Sequence, residues 1–384
     1  MLHQVSESRF DQDTLQLTTK LLRINPEYYT VWNARRRCLI SGPLSKPLRG
    51  SSPSTESPST LPNASHTSSS AASSPRPLAE TQPPRDHPQA GKSGTTHDES
   101  DAGKEIDASE ANESKTTEAE EVIRSELMFT VPLLMEHPKC YWIWNYRTWT
   151  LEQATKLLVS HAAKTIWKEE LGLVTKMLQR DRRNFHAWQY RRYVVSQLES
   201  PTLYGKSMAE EEFEYTTRMI NNDLSNFSAW HNRSQLIPRL LQGRKADSAS
   251  RKAFLEQELS LVGGGLNVGP EDQSLWYYHQ YLMLNVGENP SDRAIAPEMT
   301  VEERAECIAQ EIENIKDLLE DYEDVKWIYQ SLLEYTLLRH QLAKTSLSPE
   351  EKNELESWLA KIRGLDQQRS GRWTELANEL KLSA

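Results

Sequence analysis

Apolar positions along most of the chain recur with the period of an α-helix. Two stretches show the spacing 4, 3 and 4 clearly: Trp167, Leu171, Val174 and Leu178, and then Ile308, Ile312, Ile315 and Leu319. This spacing places the apolar side chains on one face of a helix. Runs of β-branched residues with a period of two are absent from the sequence. The pattern therefore predicts an all-α protein.

A tryptophan follows a polar turn in six places. These residues are Trp32, Trp144, Trp188, Trp230, Trp276 and Trp327, at intervals of 112, 44, 42, 46 and 51 residues. The first interval is too long by about 68 residues, which indicates an insertion between the first and second units of a repeat. A tryptophan stripe at helical spacing is typical of core packing, so we interpret all six as mainly structural.

An arginine stands three positions after each of the first four tryptophans. These residues are Arg35, Arg147, Arg191 and Arg233, and the last two units have His279 and Gln330 there. Positions i and i+3 are neighbours on a helix, so the ring and the guanidinium share a face. We expect each arginine to bond turn carbonyls or the carboxylates of the adjacent repeat.

Each unit is predicted to be a helix, a polar turn and a second helix that carries the tryptophan. Stacked helix pairs of this kind bury each other's apolar faces in a right-handed α-α superhelix. Two closing helices are expected at the end, from Leu355, Trp358, Leu359 and Ile362 and from Trp373, Leu376 and Leu380.

A segment rich in Ser and Pro, and then in acidic residues, interrupts this pattern. It cannot bury enough apolar surface to offset the entropy of ordering, so we predict that it is disordered. The predicted organisation is a first repeat at 1–40, a disordered insertion at 41–121, and further repeats with closing helices at 122–384. The net charge is −10. Most of it lies in the insertion, so a nucleic-acid surface is not expected.

Several further classes of site are not expected from the sequence. Cys38, Cys140 and Cys307 are widely spaced, which favours neither a disulfide framework nor a zinc site. No apolar run approaches the roughly 18 residues that a membrane span needs. An apolar leader is also missing from the first residues, so the expected location is the cytoplasm.

The iterated element resembles the repeat of protein prenyltransferase α subunits. It has Tyr or Phe three positions before the Trp and Arg three positions after it, and the resemblance runs from about Thr14 to about Leu380. The resemblance implies an α chain curled as a crescent around a β chain. It also implies that the β chain holds zinc and the isoprenoid, with no cofactor in this chain.

Within the family, two stretches look more like the Rab-type subunit than the farnesyl or type I subunit. They are the first repeat and the run from Ser225 to Ser234. The family usually has a charged helix before its first repeat, whereas about a dozen residues precede Thr14 here. A truncated or misassigned start is one explanation. The length leaves no room for the extra domains of animal Rab-type subunits, so the chain is more similar to the compact fungal kind.

The resemblance implies a function that needs a second chain. The expected enzyme is a type II protein geranylgeranyltransferase that is inactive without its β subunit. Geranylgeranyl diphosphate is the expected donor, and the C-terminal cysteines of Rab GTPases, presented by an escort protein, are the expected acceptors. The α subunit shared by farnesyltransferase and type I geranylgeranyltransferase remains an alternative. A non-enzymatic helical-repeat adaptor is another, although tetratricopeptide repeats have a period near 34.

The residues that match the family's diphosphate side are Lys139, Tyr141 and His186. The departing diphosphate gathers negative charge, so cations and hydrogen-bond donors are needed near it. The alternative for Lys139 and Tyr141 is a surface lysine and a core tyrosine. For His186 it is a packing role beside Trp188. Cys140 is interpreted as a small core residue, because no base stands in a pattern that would activate it.

Overall fold

The computed structural model describes residues 9–45, 102–287 and 294–382, with side chains in the second range from Thr116 onward. Every regular element in these ranges is helical, and fourteen are α-helices. They are α1 Gln12–Ile24, α2 Tyr29–Ser41, α3 Ala102–Glu136, α4 Tyr141–Leu157, α5 Ser160–Arg180, α6 Phe185–Leu198, α7 Ala209–Asn222, α8 Phe227–Gly243, α9 Ser248–Val268, α10 Gln273–Gly287, α11 Val301–Asp317, α12 Lys326–Ala343, α13 Pro349–Leu365 and α14 Ser370–Leu380.

The helices form six consecutive pairs. Each odd-numbered helix from α1 to α11 packs against the even-numbered helix that follows it. Contacts also join α2 to α4, α4 to α6 and α8 to α10, so the second helices of neighbouring pairs lie side by side. This row of pairs confirms the predicted all-α superhelix, and α13 and α14 confirm the two closing helices.

Polar side chains mark where several helices begin. Asn184 and Asn226 accept hydrogen bonds from the amides of Ala187 and Ala229, three residues further on. Thr300 with Glu303 and Ser348 with Glu351 form capping boxes at α11 and α13. These caps satisfy amides that have no partner inside a helix.

Five of the six tryptophans have the structural role predicted for them. Each indole Nε1 donates to the carbonyl oxygen six residues earlier, over 2.6–2.9 Å. The donors Trp32, Trp144, Trp188, Trp230 and Trp276 bond to Pro26, Pro138, Arg182, Leu224 and Pro270. Each ring is at most 4% exposed. The tryptophan therefore fills the core and also fixes the turn before its helix.

The sixth repeat departs from the prediction. Tyr329, rather than Trp327, is buried and donates through its hydroxyl to the carbonyl oxygen of Glu323, six residues earlier, at 2.8 Å. Trp327 is half-buried and lies two positions before Tyr329, as Trp142 lies two positions before Trp144. Trp327 packs against the core but is only partly buried, because a tyrosine holds the position of the buried tryptophan in this unit.

The arginines join each repeat to the next one. Each guanidinium donates two parallel hydrogen bonds, over 2.5–2.9 Å, to a glutamate on the first helix of the following pair. The pairs are Arg35 with Glu126, Arg147 with Glu170, Arg191 with Glu212 and Arg233 with Glu258. All eight side chains are at most 7% exposed. The expected carboxylate role of the arginines is confirmed.

A tyrosine completes three of these ion pairs. Tyr146, Tyr190 and Tyr278 donate to Glu126, Glu170 and Glu258 over 2.5–2.7 Å. Each of these glutamates thus accepts hydrogen bonds from the arginine of the preceding repeat and from the tyrosine of its own repeat. Burial raises the pKa of Tyr190 well above its usual value, and the charge of Glu170 raises it further. The phenol therefore stays a donor at neutral pH.

The last part of the predicted insertion is helical rather than disordered. Helix α3 begins at Ala102, and Ala119 is buried in the same apolar core as Leu44. The part of the insertion from 102 to 121 is therefore helical, because residues such as Ala, Glu and Lys have high helix propensity there. Residues 46–101, where the rest of the insertion was predicted, lie outside the described ranges.

Candidate functional site

Exposed aromatic residues occupy one position of the first four repeats, three residues before the buried tryptophan. They are the first residues of α2, α4, α6 and α8, and their exposed fractions run from 49% to 63%. The four residues are Tyr29, Tyr141, Phe185 and Phe227. Large exposed apolar side chains in a row indicate a surface that binds another molecule. We call this row, with Trp142, Tyr277 and Trp327, the aromatic row.

Ring contacts join neighbouring repeats at the two ends of the aromatic row. The ring of Tyr29 lies 5.3 Å from that of Trp142, and the ring of Tyr141 lies 6.4 Å from that of His186. At the other end, Tyr277 lies 6.1 Å from Phe227 and 5.9 Å from Trp327. The row therefore extends from the first repeat to the sixth along the starts of the even-numbered helices.

The structure brings Tyr141 and His186 together, and Lys139 lies two residues before Tyr141 in the chain. Tyr141 is the first residue of α4, His186 is the second residue of α6, and Lys139 lies in the turn just before α4. Cys140, the residue before α4, makes no side-chain cap. The first amides of α4, the ammonium of Lys139 and the hydroxyl of Tyr141 are thus hydrogen-bond donors within three residues of sequence. Such a group favours an anion.

Lys139 is mostly exposed and has one acidic neighbour. Its Nζ lies 3.9 Å from a carboxylate oxygen of Asp181, and 72% of its side chain is exposed. Arg183 holds the equivalent position in the next repeat and lies 3.1 Å from Asp223. Both cations therefore pair with the aspartate of the following turn. This repeated geometry makes Arg183 the natural comparison for Lys139.

His186 is half-buried between two aromatic rings. The ring of Phe185 lies 4.0 Å away and that of Tyr141 lies 6.4 Å away. Burial lowers the pKa of His186 below its usual 6.5, against a smaller opposing effect of Glu27. At neutral pH the imidazole is therefore uncharged, and it can contribute a hydrogen bond or a packing contact rather than a positive charge.

Cys140 has a structural role. Its side chain is buried, and its Sγ donates to the carbonyl oxygen of Pro26 in the first repeat at 3.5 Å. Burial raises the pKa of the thiol to about 11. The thiolate is therefore negligible at neutral pH, which agrees with the interpretation of Cys140 as a small core residue.

Two cavities were not predicted from the sequence. One has a volume of about 350 Å³ and lies between α8 and α10, with walls from Phe227 and Tyr277 of the aromatic row. The other is a groove of about 1070 Å³ between α9 and α11. Its base contains Leu255 and Leu259, and its rim carries more acidic than basic side chains. In the sequence, the groove was indicated only by His279, which stands where the first four repeats have an arginine.

His279 takes over the repeat-joining role with a shorter side chain. Its Nε2 lies 2.8 Å from Glu311 on α11, and its Nδ1 lies 2.8 Å from the hydroxyl of Tyr335 on α12. The imidazole lines the groove between α9 and α11. His279 is shorter than the arginine that holds this position in earlier repeats, and the groove lies between α9 and α11, the first helices of the fifth and sixth pairs.

Two negative findings concern the described residues alone. Within 9–45, 102–287 and 294–382, no group of three or more His, Cys, Asp or Glu side chains could hold a metal ion. In the same part of the chain, no helix is both long enough and apolar enough to cross a bilayer.

Comparison with known proteins supports the repeat assignment. Four segments match the family model described as "Protein prenyltransferase alpha subunit repeat", at residues 11–41, 123–154, 167–198 and 209–240. These are the first four repeats. The fifth keeps the hydrogen bond from Trp276 to Pro270, and so continues the same local structure beyond the matched segments.

Curated relatives share one name, geranylgeranyl transferase type-2 subunit alpha. The chain is 33% identical to that of Saccharomyces cerevisiae over 160 residues, which are 42% of this chain and 46% of the relative. It is 31% identical to that of Schizosaccharomyces pombe over 218 residues, covering 56% and 62%. For Dictyostelium discoideum the identity is 27% over 333 residues, covering 86% and 76%. The chain thus spans about half to two thirds of the two yeast relatives.

Proposed function

Because the chain belongs to the proteins built from the protein prenyltransferase alpha subunit repeat, we propose that it is the α subunit of a heterodimeric Rab geranylgeranyltransferase. The enzyme transfers geranylgeranyl from geranylgeranyl diphosphate to C-terminal cysteines of Rab GTPases. The relatives named as type-2 α subunits in fungi and in Dictyostelium support this choice of subtype. The cytoplasm is the proposed location.

The aromatic row is the observation that carries the proposal. It presents Tyr29, Tyr141, Phe185 and Phe227 to solvent on successive repeats, although burying them would be favourable. A β chain lying along the starts of the even-numbered helices buries these rings together. Aromatic side chains are enriched in the cores of protein interfaces, where they supply much of the binding energy.

The same placement brings Lys139 and Tyr141 to the edge of a shared site. During transfer a carbon–sulfur bond forms while the bond between the isoprenoid carbon and the diphosphate oxygen breaks. The diphosphate leaves with the electron pair, so negative charge builds on its oxygens. The ammonium of Lys139, the hydroxyl of Tyr141 and the first amides of α4 are donors that can stabilise this charge.

His186 has a supporting role in the proposed site. Its uncharged imidazole lies 6.4 Å from the ring of Tyr141, and it is proposed to help position the phenol. The β chain is proposed to supply zinc, which activates the acceptor thiol, and the pocket for the isoprenoid. The α chain then contributes electrostatic stabilisation of the departing diphosphate and the surface that orients the β chain.

A third component needs a surface that the β chain leaves free. The groove between α9 and α11 belongs to the first helices of the pairs, whereas the aromatic row belongs to the second helices. Its apolar base and its rim with Glu302, Glu303 and Glu306 suit a partner that presents an apolar side chain beside a cation. We propose that the Rab escort protein binds at this groove.

Purification from the native cells tests the subunit assignment. The tagged chain is isolated under gentle conditions and the complex is weighed by native mass spectrometry. The expected result is a complex of one α chain with one β chain of prenyltransferase type. Recovery of the chain alone, or with peptides of many unrelated proteins, would instead support a helical-repeat adaptor.

A further inference from the structure

The cavity between α8 and α10 opens beside the aromatic row. Its walls include Phe227, His231, Tyr277 and Tyr281, and Ser234 lies at its base. Its volume of about 350 Å³ is at the lower end for a small-molecule site, yet it exceeds the volume of any single side chain. Phe227 and Tyr277 belong both to the cavity and to the aromatic row, so the two surfaces are continuous.

The first repeat shows how the equivalent space is filled by the chain itself. Arg36 stands four positions after Trp32, as Ser234 stands four positions after Trp230. The guanidinium of Arg36 lies 5.7 Å from the ring of Tyr146 and 5.6 Å from that of Trp149. It also donates to Asn145 at 2.7 Å. A long side chain thus covers these aromatic rings in the first two repeats.

The fourth and fifth repeats keep the aromatic rings and lose the cover. Tyr278 and Tyr281 stand where Tyr146 and Trp149 stand, two and five positions after the buried tryptophan. The residue that could cover them is Ser234, whose hydroxyl donates to the carbonyl oxygen of His231 at 2.8 Å. A serine is too short to reach the rings, so the space between α8 and α10 stays open.

A proline fixes one wall of the cavity. Pro238 lies inside α8 and has no amide hydrogen, so the carbonyl of Ser234 lacks its usual partner four residues later. Tyr281 on α10 donates to this carbonyl at 3.1 Å. The hydroxyl of Tyr281 therefore gives the carbonyl of Ser234 a hydrogen-bond donor. The same bond holds the tyrosine ring in place across the opening of the cavity. A wall held in this way is already shaped before a ligand arrives.

The charge around the cavity selects an uncharged occupant. No lining residue is acidic and none is Lys or Arg. Burial lowers the pKa of His231, and the nearby charge of Arg192 lowers it further, so the imidazole is neutral at pH 7. A cation entering the cavity would find no carboxylate among the lining residues to pair with. An apolar or aromatic side chain meets no such penalty.

We propose that this cavity receives one large apolar side chain of the β chain and is a binding hot spot of the subunit interface. The inference rests on the proposed function, because the partner is the β chain that the aromatic row is proposed to bind. A side chain in the cavity covers Tyr278 and Tyr281 from outside, as Arg36 covers Tyr146 and Trp149 from within. Hot spots are typically such desolvated, preformed pockets that lie within a wider contact surface.

Filling the cavity from within tests the inference. In Ser234→Met a flexible apolar side chain occupies the space that the partner needs. The dissociation constant for the purified β chain is expected to rise at least about tenfold, the effect of losing one hot-spot contact. Thr148→Met is the matched control, because Thr148 holds the same repeat position on α4. Its expected change is less than about threefold, within the range for a peripheral contact.

A second variant guards against loss of folding. Tyr277 is 44% exposed, so Tyr277→Ala removes one wall of the cavity without opening the core. It is expected to weaken β binding by a similar factor while the helical content and melting temperature of the isolated chain stay unchanged. Normal β binding by both Ser234→Met and Tyr277→Ala would overturn the hot spot alone. Failure of the unaltered chain to bind any β chain would overturn the proposed function itself.

Discussion

Cys140 and Asn184 occupy the same position in consecutive repeats, four residues before the buried tryptophan. The thiol of Cys140 donates to the carbonyl oxygen of Pro26 at 3.5 Å, and the amide of Asn184 donates to that of Pro138 at 3.0 Å. In each case the same carbonyl also accepts the indole N–H of the preceding repeat. Asn184 additionally caps α6, whereas Cys140 leaves α4 without a side-chain cap.

This equivalence predicts that Cys140→Asn stabilises the protein. The asparagine side chain can accept a hydrogen bond from the amide of Ile143 as a helix cap. It can also donate a hydrogen bond to the carbonyl oxygen of Pro26, and Asn184 makes both kinds of bond in its own repeat. A good cap contributes about 0.5–2 kcal/mol. Chemical denaturation should show a higher free energy of unfolding for Cys140→Asn and a lower one for Asn184→Cys. A destabilised Cys140→Asn would show that the two turns are not equivalent.

The ion pair of Arg147 and Glu170 is predicted to act as a unit. Burial alone would lower the pKa of Arg147, but the charge and hydrogen bonds of Glu170 raise it above its usual value. Arg147→Met leaves Glu170 buried without its cation and should cost about 3–5 kcal/mol. Glu170→Gln should also destabilise the fold. The measurement is the free energy of unfolding in urea.

A double variant measures the interaction between Arg147 and Glu170 separately from the contribution of each side chain. Arg147→Met with Glu170→Leu removes both buried charges and leaves an apolar contact between α4 and α5. Its loss of unfolding free energy should be well below the sum of the losses of Arg147→Met and Glu170→Leu measured singly, because coupled residues are not additive. Additive losses would mean that the two side chains stabilise the fold independently, against the geometry seen here.

The corrected register of the sixth repeat predicts different roles for two aromatic residues. Tyr329 is buried, so Tyr329→Ala should destabilise the fold by about 3–5 kcal/mol, as for other large buried rings. Trp327 is half-buried at the end of the aromatic row, so Trp327→Ala should cost under about 2 kcal/mol. It should instead weaken β binding. Equal losses of stability in thermal unfolding would mean that Trp327 contributes to the core of this repeat as much as Tyr329 does.

The sequence carried enough information for the fold, because the helical period and the tryptophan spacing both reflect burial. Trp188 and Arg191 could be recognised as structural since each recurs at a fixed distance in other repeats. The partner Glu212 could not be recognised, because a glutamate on an amphipathic helix looks the same whether it faces solvent or an arginine. Its role depends on how two pairs of helices stack.

The site was harder to predict for a related reason. Phe227 and Trp230 are both aromatic and lie three residues apart, yet one is 51% exposed and the other 1%. Composition does not tell which aromatic residue faces a partner, since both fit a helix pattern. The helical start of α3 at Ala102 was missed because its acidic residues suggested a solvated tail. Their helix propensity, and the burial of Ala119, outweighed that signal.

Lys139 is predicted to matter for the chemical step rather than for assembly. If its ammonium stabilises the departing diphosphate, Lys139→Ala should slow single-turnover transfer about ten- to a thousandfold, the scale for one preorganised donor. Arg183→Ala is the matched control, because Arg183 makes the same turn-to-turn ion pair one repeat later. Tyr141→Phe should give a smaller loss than Lys139→Ala, since the ring is kept.

Two outcomes of that comparison would count against a role for Lys139. An unchanged rate for Lys139→Ala would leave its pairing with Asp181 as a purely structural contact. Equal losses in Lys139→Ala and Arg183→Ala, together with weaker β binding, would mean that both cations act only through the interface. Affinity for the β chain should therefore be measured on the same preparations.

Reconstitution of transfer from separate chains is the decisive test of the proposed subunit role. The purified chain, its β chain, geranylgeranyl diphosphate and a Rab GTPase with its escort protein are mixed, and attached isoprenoid is measured by mass spectrometry. We expect transfer when both chains are present and no transfer with either chain alone. Transfer by the β chain alone at the full rate, or no transfer by the assembled pair, would contradict the proposed role.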